Sequence, residues 1–337
     1  MNHIFITGIS GFLGHNLVLA LSKIENTLIH GLVLPNETNL SFFDAYPNVH
    51  LTRGNICDPE DVHHFLSQQA EGRNIIIHAA GRITTFKNND PLTTAINVSG
   101  TKNMVDEAIK LDGFDTFIYV SSVDAVSKRN DSAIIYEPDT YDPNDVEGVY
   151  SKSKAQANSI VLSIKEQMRC IIVMPSAIMG PHDPFSAPIN DAIRRYINGK
   201  LPAIVKGGYD IVDVRDVAAG ILSCIDHGET GSSYFLSGTA ISVQDLIGLA
   251  AEIENRQSVM RTIPHGLMKI ASPFIELDAR LRHKTPLFTG FSMDCLKQNP
   301  TYSHAKAQHE LGYQPRDIKR TMEETIAWMH LSGYLKR

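Results

Sequence analysis

Along the first 180 residues the apolar positions follow a repeating rhythm, a short β-rich run and then a stretch of helical period. The runs His3–Thr7, Leu28–Leu34, His50–Arg53, Asn74–His78, Thr116–Ser121 and Cys170–Met174 predict strands. Their near-continuous apolar character suits strands covered on both faces, as in a parallel sheet. Between them, Phe12–Ile24, Pro59–Gln68, Ala95–Leu111 and Ser151–Gln167 predict helices. Such alternation predicts an α/β fold, a doubly wound parallel sheet with right-handed crossovers. Ligands of such sheets bind beyond the carboxyl ends of the strands, so the chemistry is expected in the residues just after each strand.

Past Pro175 the rhythm breaks. Pro175, Pro181, Pro184 and Pro188 crowd together, Gly207-Gly208 and Pro264 follow, and Val259–Pro300 is only weakly periodic. Tyr209–Val214 and Tyr234–Leu236 still read as sheet elements. The expectation is a first, doubly wound domain over 1–175 that takes back roughly 205–250. A smaller lobe would comprise mainly 176–204 and 251–337.

Composition narrows the classes. The chain has 337 residues, 43% of them hydrophobic and 20% charged, as in an ordinary globular protein. A net charge of −6 offers no global field for nucleic acid or an anionic membrane. No apolar run exceeds five residues, against the ~18 to 20 of a spanning helix. The start, Met1-Asn2-His3-Ile4-Phe5, lacks the basic and small-residue features of a secretory signal and reads as a first strand. Cys57, Cys170, Cys224 and Cys295 form no CxxC pair, so a reduced, cytoplasmic protein is expected. The fourteen histidines contain no HExxH, and the adjacent His63-His64 face different directions on a helix, so no metal site is expected.

After the first strand comes Thr7-Gly8-Ile9-Ser10-Gly11-Phe12-Leu13-Gly14. A strand that runs through glycines into a helix is a phosphate cradle. Gly8 allows the turn, Gly11 lets backbone N–H groups approach a pyrophosphate, and Gly14 lets helix and strand pack closely. The spacing is G-x-x-G-x-x-G rather than G-x-G-x-x-G. Further on, Tyr150-Ser151-Lys152-Ser153-Lys154 contains Y-x-x-x-K. Residues four apart share a helix face, so phenol and ammonium can reach one cleft. A free tyrosine titrates near 10. An ammonium ~4 Å away at an effective dielectric of ~20 interacts by about 4 kcal/mol, enough to lower that by up to ~3 units. Tyr119-Val120-Ser121-Ser122 ends a strand, and alternation sends the two serine side chains to opposite faces, so one of them faces a substrate.

In this order and spacing the motifs resemble those of the extended short-chain dehydrogenase/reductase superfamily, the branch of NAD-dependent epimerases, dehydratases and reductases. The likeness is strongest to bacterial members similar to dihydroflavonol 4-reductase. Other stretches carry it as well: Gly54-Asn55-Ile56-Cys57-Asp58, Ile77-His78-Ala79-Ala80-Gly81, Asn97-Val98-Ser99-Gly100-Thr101 and Pro175-Ser176-Ala177-Ile178-Met179-Gly180-Pro181. So do Gly207–Ala218 and Lys306–Pro315.

The resemblance implies a Rossmann-like fold and a Ser-Tyr-Lys site: Ser122, Tyr150 and Lys154, with Asn97 orienting the catalytic helix or a water. A helix cap is the plainer reading of Asn97. It implies cofactor contacts from Gly8, Ser10, Gly11, Phe12, Leu13, Gly14, Leu34, Asn55, Ile56, Ala79, Ala80, Gly81, Tyr150, Lys154, Pro175, Ala177 and Ile178. Asn55 stands where the family's adenine turn has an aspartate.

The cofactor is NAD or NADP. Leu34 occupies the position of an arginine in dihydroflavonol-reductase-like relatives and Glu37 is adjacent, which favours NAD, while Arg53 leaves NADP open. Thr84, Phe86, Ser122 and Met179 are candidate substrate contacts, with Thr85 and Phe185 as further walls, each competing with ordinary packing. Arg256, Arg261, Arg280 and Arg282 are available for a diphosphate clamp, though none maps onto the family's. The expected function is an NAD(P)-dependent oxidoreductase that interconverts a ketone or aldehyde and an alcohol. The alternatives are a sugar-nucleotide epimerase or dehydratase, and a non-catalytic dinucleotide sensor. The expected partners are a small carbonyl or alcohol substrate and a second copy of the chain through Ala95–Leu111 and Ser151–Gln167, with no nucleic acid and no membrane.

Overall fold

A computed structural model describes residues 1–128, 134–201, 203–256, 261–263 and 301–335. Its centre is a seven-stranded sheet of β1 (Asn2–Thr7), β2 (Thr27–Val33), β3 (Val49–Arg53), β4 (Arg73–His78), β5 (Thr116–Val120), β6 (Arg169–Pro175) and a strand at Ser233–Leu236. Every pairing in it is parallel. The spatial order is Ser233–Leu236, β6, β5, β4, β1, β2, β3, so the chain reverses direction across the sheet between β1 and β4. That reversal opens the crevice in which doubly wound sheets hold ligands.

Strand alternation feeds two cores. Phe5, Ile76, Phe117 and Tyr119 point to one face, where they meet Phe65, Met104, Ala155 and Val161. Ile4, Ile6, Ile75, Ile77 and Ile118 point to the other, against Leu13, Leu17, Val217 and Ile221. Both faces are therefore apolar, which is why the strands read as continuous runs. The helices on them are α1 (Phe12–Leu21), α2 (Pro59–Leu66), α3 (Thr101–Leu111), α4 (Val149–Leu162) and, from the later chain, Val214–His227. Asp58 caps α2 by accepting from the Glu60 N–H at 3.0 Å, and Pro59 occupies the first turn.

The second group of elements has its own core, in which Met179, Ile193, Ile197, Ile211, Leu246, Met322, Ile326 and Met329 pack together. Ala177–Met179 pairs parallel with Gly208–Asp213, which pairs antiparallel with Thr239–Ser242. Of the stretch 205–250, Val214–His227 and Ser233–Leu236 rejoin the large sheet or its core and Val243–Ile253 packs in the smaller core, while Gly208–Asp213 serves both, with Val212 in the large core and Ile211 in the smaller. Conversely, Ala307, Leu311 and Tyr313 near the carboxyl terminus pack on the large sheet. Pairing across distant sequence decides this, and local periodicity carries no record of it. Among the described residues no helix is long and apolar enough to cross a membrane, and no three His, Cys, Asp or Glu gather as a metal site.

Candidate active site

The glycine loop is built by contact. Gly8 has φ +72°, and a Cβ there would lie 2.8 Å from the Ala80 nitrogen. A Cβ on Gly14 would stand 2.3 Å from the carbonyl oxygens of Gly8 and Ile9, so only glycine lets α1 start this close to β1. Gly11 is the N-cap of α1 and has no side chain with which to cap it. The first-turn N–H groups, with Phe12 at the helix start and Leu13 buried behind it, therefore remain for an anion. This arrangement fits a dinucleotide pyrophosphate.

Beyond β2 the loop is shaped by Arg53, whose Nη1 donates to the carbonyls of Leu34 (3.4 Å), Pro35 (2.7 Å) and Glu37 (3.0 Å). Leu34 is 57% exposed, and the Glu37 carboxylate lies 3.5 Å from Ser10 Oγ. Asn55 spends its side-chain oxygen on a local turn, accepting from Cys57 N–H at 3.0 Å. Ile56 presents no side chain at the surface of this turn. It turns into the core beneath Gly100 and its carbonyl accepts from Asn103.

The reactive corner lies past the ends of β4 and β5. Gly148, at φ +89°, turns the chain into α4, which puts Tyr150 in its first turn and Lys154 one turn on. The Tyr150 phenol lies near Ser122, whose hydroxyl acts to lower the phenol's pKa. Ser121 lies apart, its buried hydroxyl without a partner among the described residues and its N–H donated to Val173 O at 2.8 Å. Of the two serines, Ser122 is the one near the Tyr150 phenol. Lys154 is 4% exposed; its Nζ donates to Val120 O at 2.8 Å and to Tyr119 Oη at 3.2 Å. A Cβ on Gly81 would sit 3.3 Å from that Nζ, so the strand end is bare where the amine faces it.

Asn97 sits in a π-helical turn (Ala95–Gly100) that leads into α3, 1% exposed, and is not a helix cap. Its Oδ1 accepts from Arg82 N–H (2.8 Å), and its Nδ2 donates to Arg82 O (3.0 Å) and Ser153 Oγ (2.9 Å). Ser153 Oγ in turn donates to Tyr150 O at 2.7 Å. Asn97 thereby ties the end of β4 to the helix that carries the tyrosine.

The electrostatics differ from the expectation of a phenol acidified by its lysine. Burial and the nearby Asp124 carboxylate push the Tyr150 phenol above its ordinary value, with the Ser122 hydrogen bond opposing them. Tyr150 is a neutral acid at pH 7. Burial instead lowers Lys154 to about 7. Desolvation is the largest influence on both groups.

Two candidate substrate contacts are displaced. Met179 is 0% exposed in the smaller core, because its strand pairs with Gly208–Asp213 and aims it inward. Thr84 is 5% exposed and structures its own loop, with Oγ1 accepting from Phe86 N–H. Phe86 is half-buried and Phe185 is 59% exposed. Pro175 is buried at the end of β6, while Ala177 and Ile178 are half-exposed beside it, as are Ala79 and Ala80 after β4. Arg256 is bound to Ile197 O and paired with Glu254, Arg261 is exposed, and Arg280 and Arg282 lie outside the described residues. His78, Thr101 and Tyr119 are site residues that the motifs include without a role. Their signal is a polar group at the end of an apolar strand run or on the helix facing it.

A doubly wound sheet whose crevice holds an uncapped helix N-terminus beside a serine, a tyrosine and a buried lysine defines a dinucleotide-dependent oxidoreductase of the short-chain type. The model of the NAD dependent epimerase/dehydratase family matches residues 4–236, and the chain belongs to that family. It is similar to the "Putative dihydroflavonol 4-reductase" of Synechocystis sp., 28% identical over 342 residues that cover 98% of this chain and 96% of that one. It is also similar to the sterol demethylase protein B of Methylococcus capsulatus, 26% identical over 333 residues covering 98% and 99%. Among solved structures, that of gox2253 superimposes with a TM-score of 0.82 at 28% identity over 99% of both chains.

Proposed function

We propose that the chain is a reductase or dehydrogenase that interconverts a ketone or aldehyde and an alcohol, with NAD preferred over NADP. The observation that carries this reading is Tyr150 in the first turn of a helix whose Lys154, one turn on, is buried and bound at the end of β5 next to Ser122. When bound, the nicotinamide supplies or accepts the hydride. Ser122, whose Oγ already accepts from Asp124 N–H at 3.1 Å, keeps its own proton to donate to the substrate oxygen. Tyr150, held neutral by burial, gives its proton to the oxygen as negative charge develops there, which suits it to the reducing direction. Lys154 holds the ribose and offsets the charge left on the phenol. Asn97 positions both through Ser153.

The NAD preference is supported by Arg53, whose guanidinium is engaged on three loop carbonyls. Glu37, beside Ser10, can accept from a ribose hydroxyl and would repel a second phosphate. We further propose a homodimer formed through the helices Thr101–Leu111 and Val149–Leu162 and a cytoplasmic location, both resting on the resemblance of the motifs.

Separate titrations with NADH and NADPH, followed by a panel of carbonyl compounds and nucleotide sugars, test the reading. Net consumption of NADH with a simple carbonyl supports it. Tightly retained cofactor with turnover of a nucleotide sugar supports the epimerase or dehydratase reading, which the family name also admits. No turnover of any kind in wild type, with cofactor bound, is the outcome for a sensor.

A further inference from the structure

Thr7, His78 and Tyr119 are register partners across three adjacent strands, Thr7 opposite His78 and His78 opposite Tyr119. Their side chains therefore share one face of the sheet, at its carboxyl end, on either side of the point where strand order reverses. All three are fully buried. The polar groups form one continuous ladder. Ala80 N–H meets Thr7 Oγ1 at 3.1 Å, Thr7 Oγ1 meets His78 Nδ1 at 2.7 Å, and His78 Nε2 meets Thr101 Oγ1 at 3.0 Å. The Tyr119 ring stacks on the His78 ring with centroids 5.6 Å apart, and its hydroxyl receives Lys154 Nζ at 3.2 Å.

Proton counting orients every rung. Thr101 has one hydroxyl proton and gives it to Asn97 O at 2.7 Å, so it accepts from His78. His78 is then the Nε2–H tautomer, and its Nδ1 accepts from Thr7, which in turn accepts from Ala80. The Tyr119 proton points away from Lys154, which leaves its oxygen lone pairs for the amine, and its ring lies under the amine with Nζ 4.7 Å from the centroid. Only a neutral imidazole fits. Burial, with the Lys154 charge adding to it, holds His78 down to about 3.

We propose that Tyr119, oriented by its stacking on His78, is a positioning residue for Lys154: with Val120 O it takes two of the three ammonium N–H groups and leaves the third for the cleft. This rests on the reading of Lys154 as the group that serves ribose and phenol. The ladder supplies the buried ammonium with the polar contacts that water would otherwise give. The groups near Lys154 are Tyr119 and Val120 O on β5 and His78 on β4, while Tyr150 acts on Tyr119 and Asp124 on Tyr150.

The test is a titration of the full chain with 13C-labelled lysine ε-carbons, Lys154 being identified by the resonance missing in Lys154→Met. Removing the hydroxyl in Tyr119→Phe is expected to lower the Lys154 pKa by about one unit or more and to weaken NADH binding about ten-fold. A folded Tyr119→Phe protein in which Lys154 titrates as in wild type overturns the proposal. Independently of any variant, 15N shifts of His78 in the wild-type protein are expected to report the neutral Nε2–H form at pH 6. An Nδ1–H tautomer or an imidazolium overturns it equally. Neither readout needs turnover, so a protein without reductase activity can still show the ladder. A working reductase with an unshifted Lys154 removes the ladder alone.

Discussion

The glycine loop and the tyrosine corner flank the same crevice and are built on opposite principles. In the loop, function comes from atoms that are not there: side chains at Gly8 and Gly14 would meet backbone at 2.3 to 2.9 Å. At the corner it comes from polar atoms buried with their partners counted, and Lys154, Tyr119, His78 and Asn97 are nearly or wholly inaccessible. The loop tolerates no additional volume. The corner tolerates no missing partner, because a buried donor left alone costs its full desolvation.

The contrast breaks most severely at Gly14. Gly14→Ala has no flexible neighbour to displace, so a destabilisation of about 3 kcal/mol or more is expected, with NADH binding lost, measured by thermal unfolding and by fluorescence titration. Lys154→Met acts in the other direction. It is expected to abolish turnover while raising Tm by roughly 5 °C at pH 7, since a desolvated amine is removed. The native-state pKa of Lys154 lies below its unfolded value of 10.5, so between about pH 7 and 10.5 the unfolded chain binds more protons. Wild-type stability from this group therefore rises with pH across that window, and the advantage of the methionine variant should shrink over it. Equal stability of the two proteins at pH 7 would contradict a costly burial. The mildest change is at Glu37. Glu37→Gln is expected to narrow the preference for NADH over NADPH by about ten-fold, seen in the ratio of KM values, without change in Tm.

The loop is legible in the sequence because its requirement is local. Three glycines at fixed spacing after a strand state the whole constraint. The Tyr150 and Lys154 pair is legible for the same reason, both lying within one turn of helix. What the sequence does not convey is set by distant pairings. Met179 follows a loop motif and looks like a pocket wall until Ala177–Met179 joins Gly208–Asp213 and turns it inward. The roles of His78 and Tyr119 depend on strand register, which places residues 41 apart in sequence side by side. Spacing alone gives the wrong sign for Tyr150. It yields the attraction to an ammonium, whereas the desolvation opposing that attraction depends on the packed surroundings.

Tyr150→Phe removes the proposed proton donor and little else, so carbonyl-dependent NADH oxidation by this variant, beside a separate titration of NADH affinity, is the decisive assay. Turnover is expected to fall by a factor of about 100 to 10,000, the size of contribution a positioned proton donor makes. NADH affinity is expected to stay within about two-fold of wild type, because the lost interaction belongs to the transition state. Undiminished turnover in the phenylalanine variant, against a carbonyl that the wild type reduces, would contradict the assignment of Tyr150 as the acid.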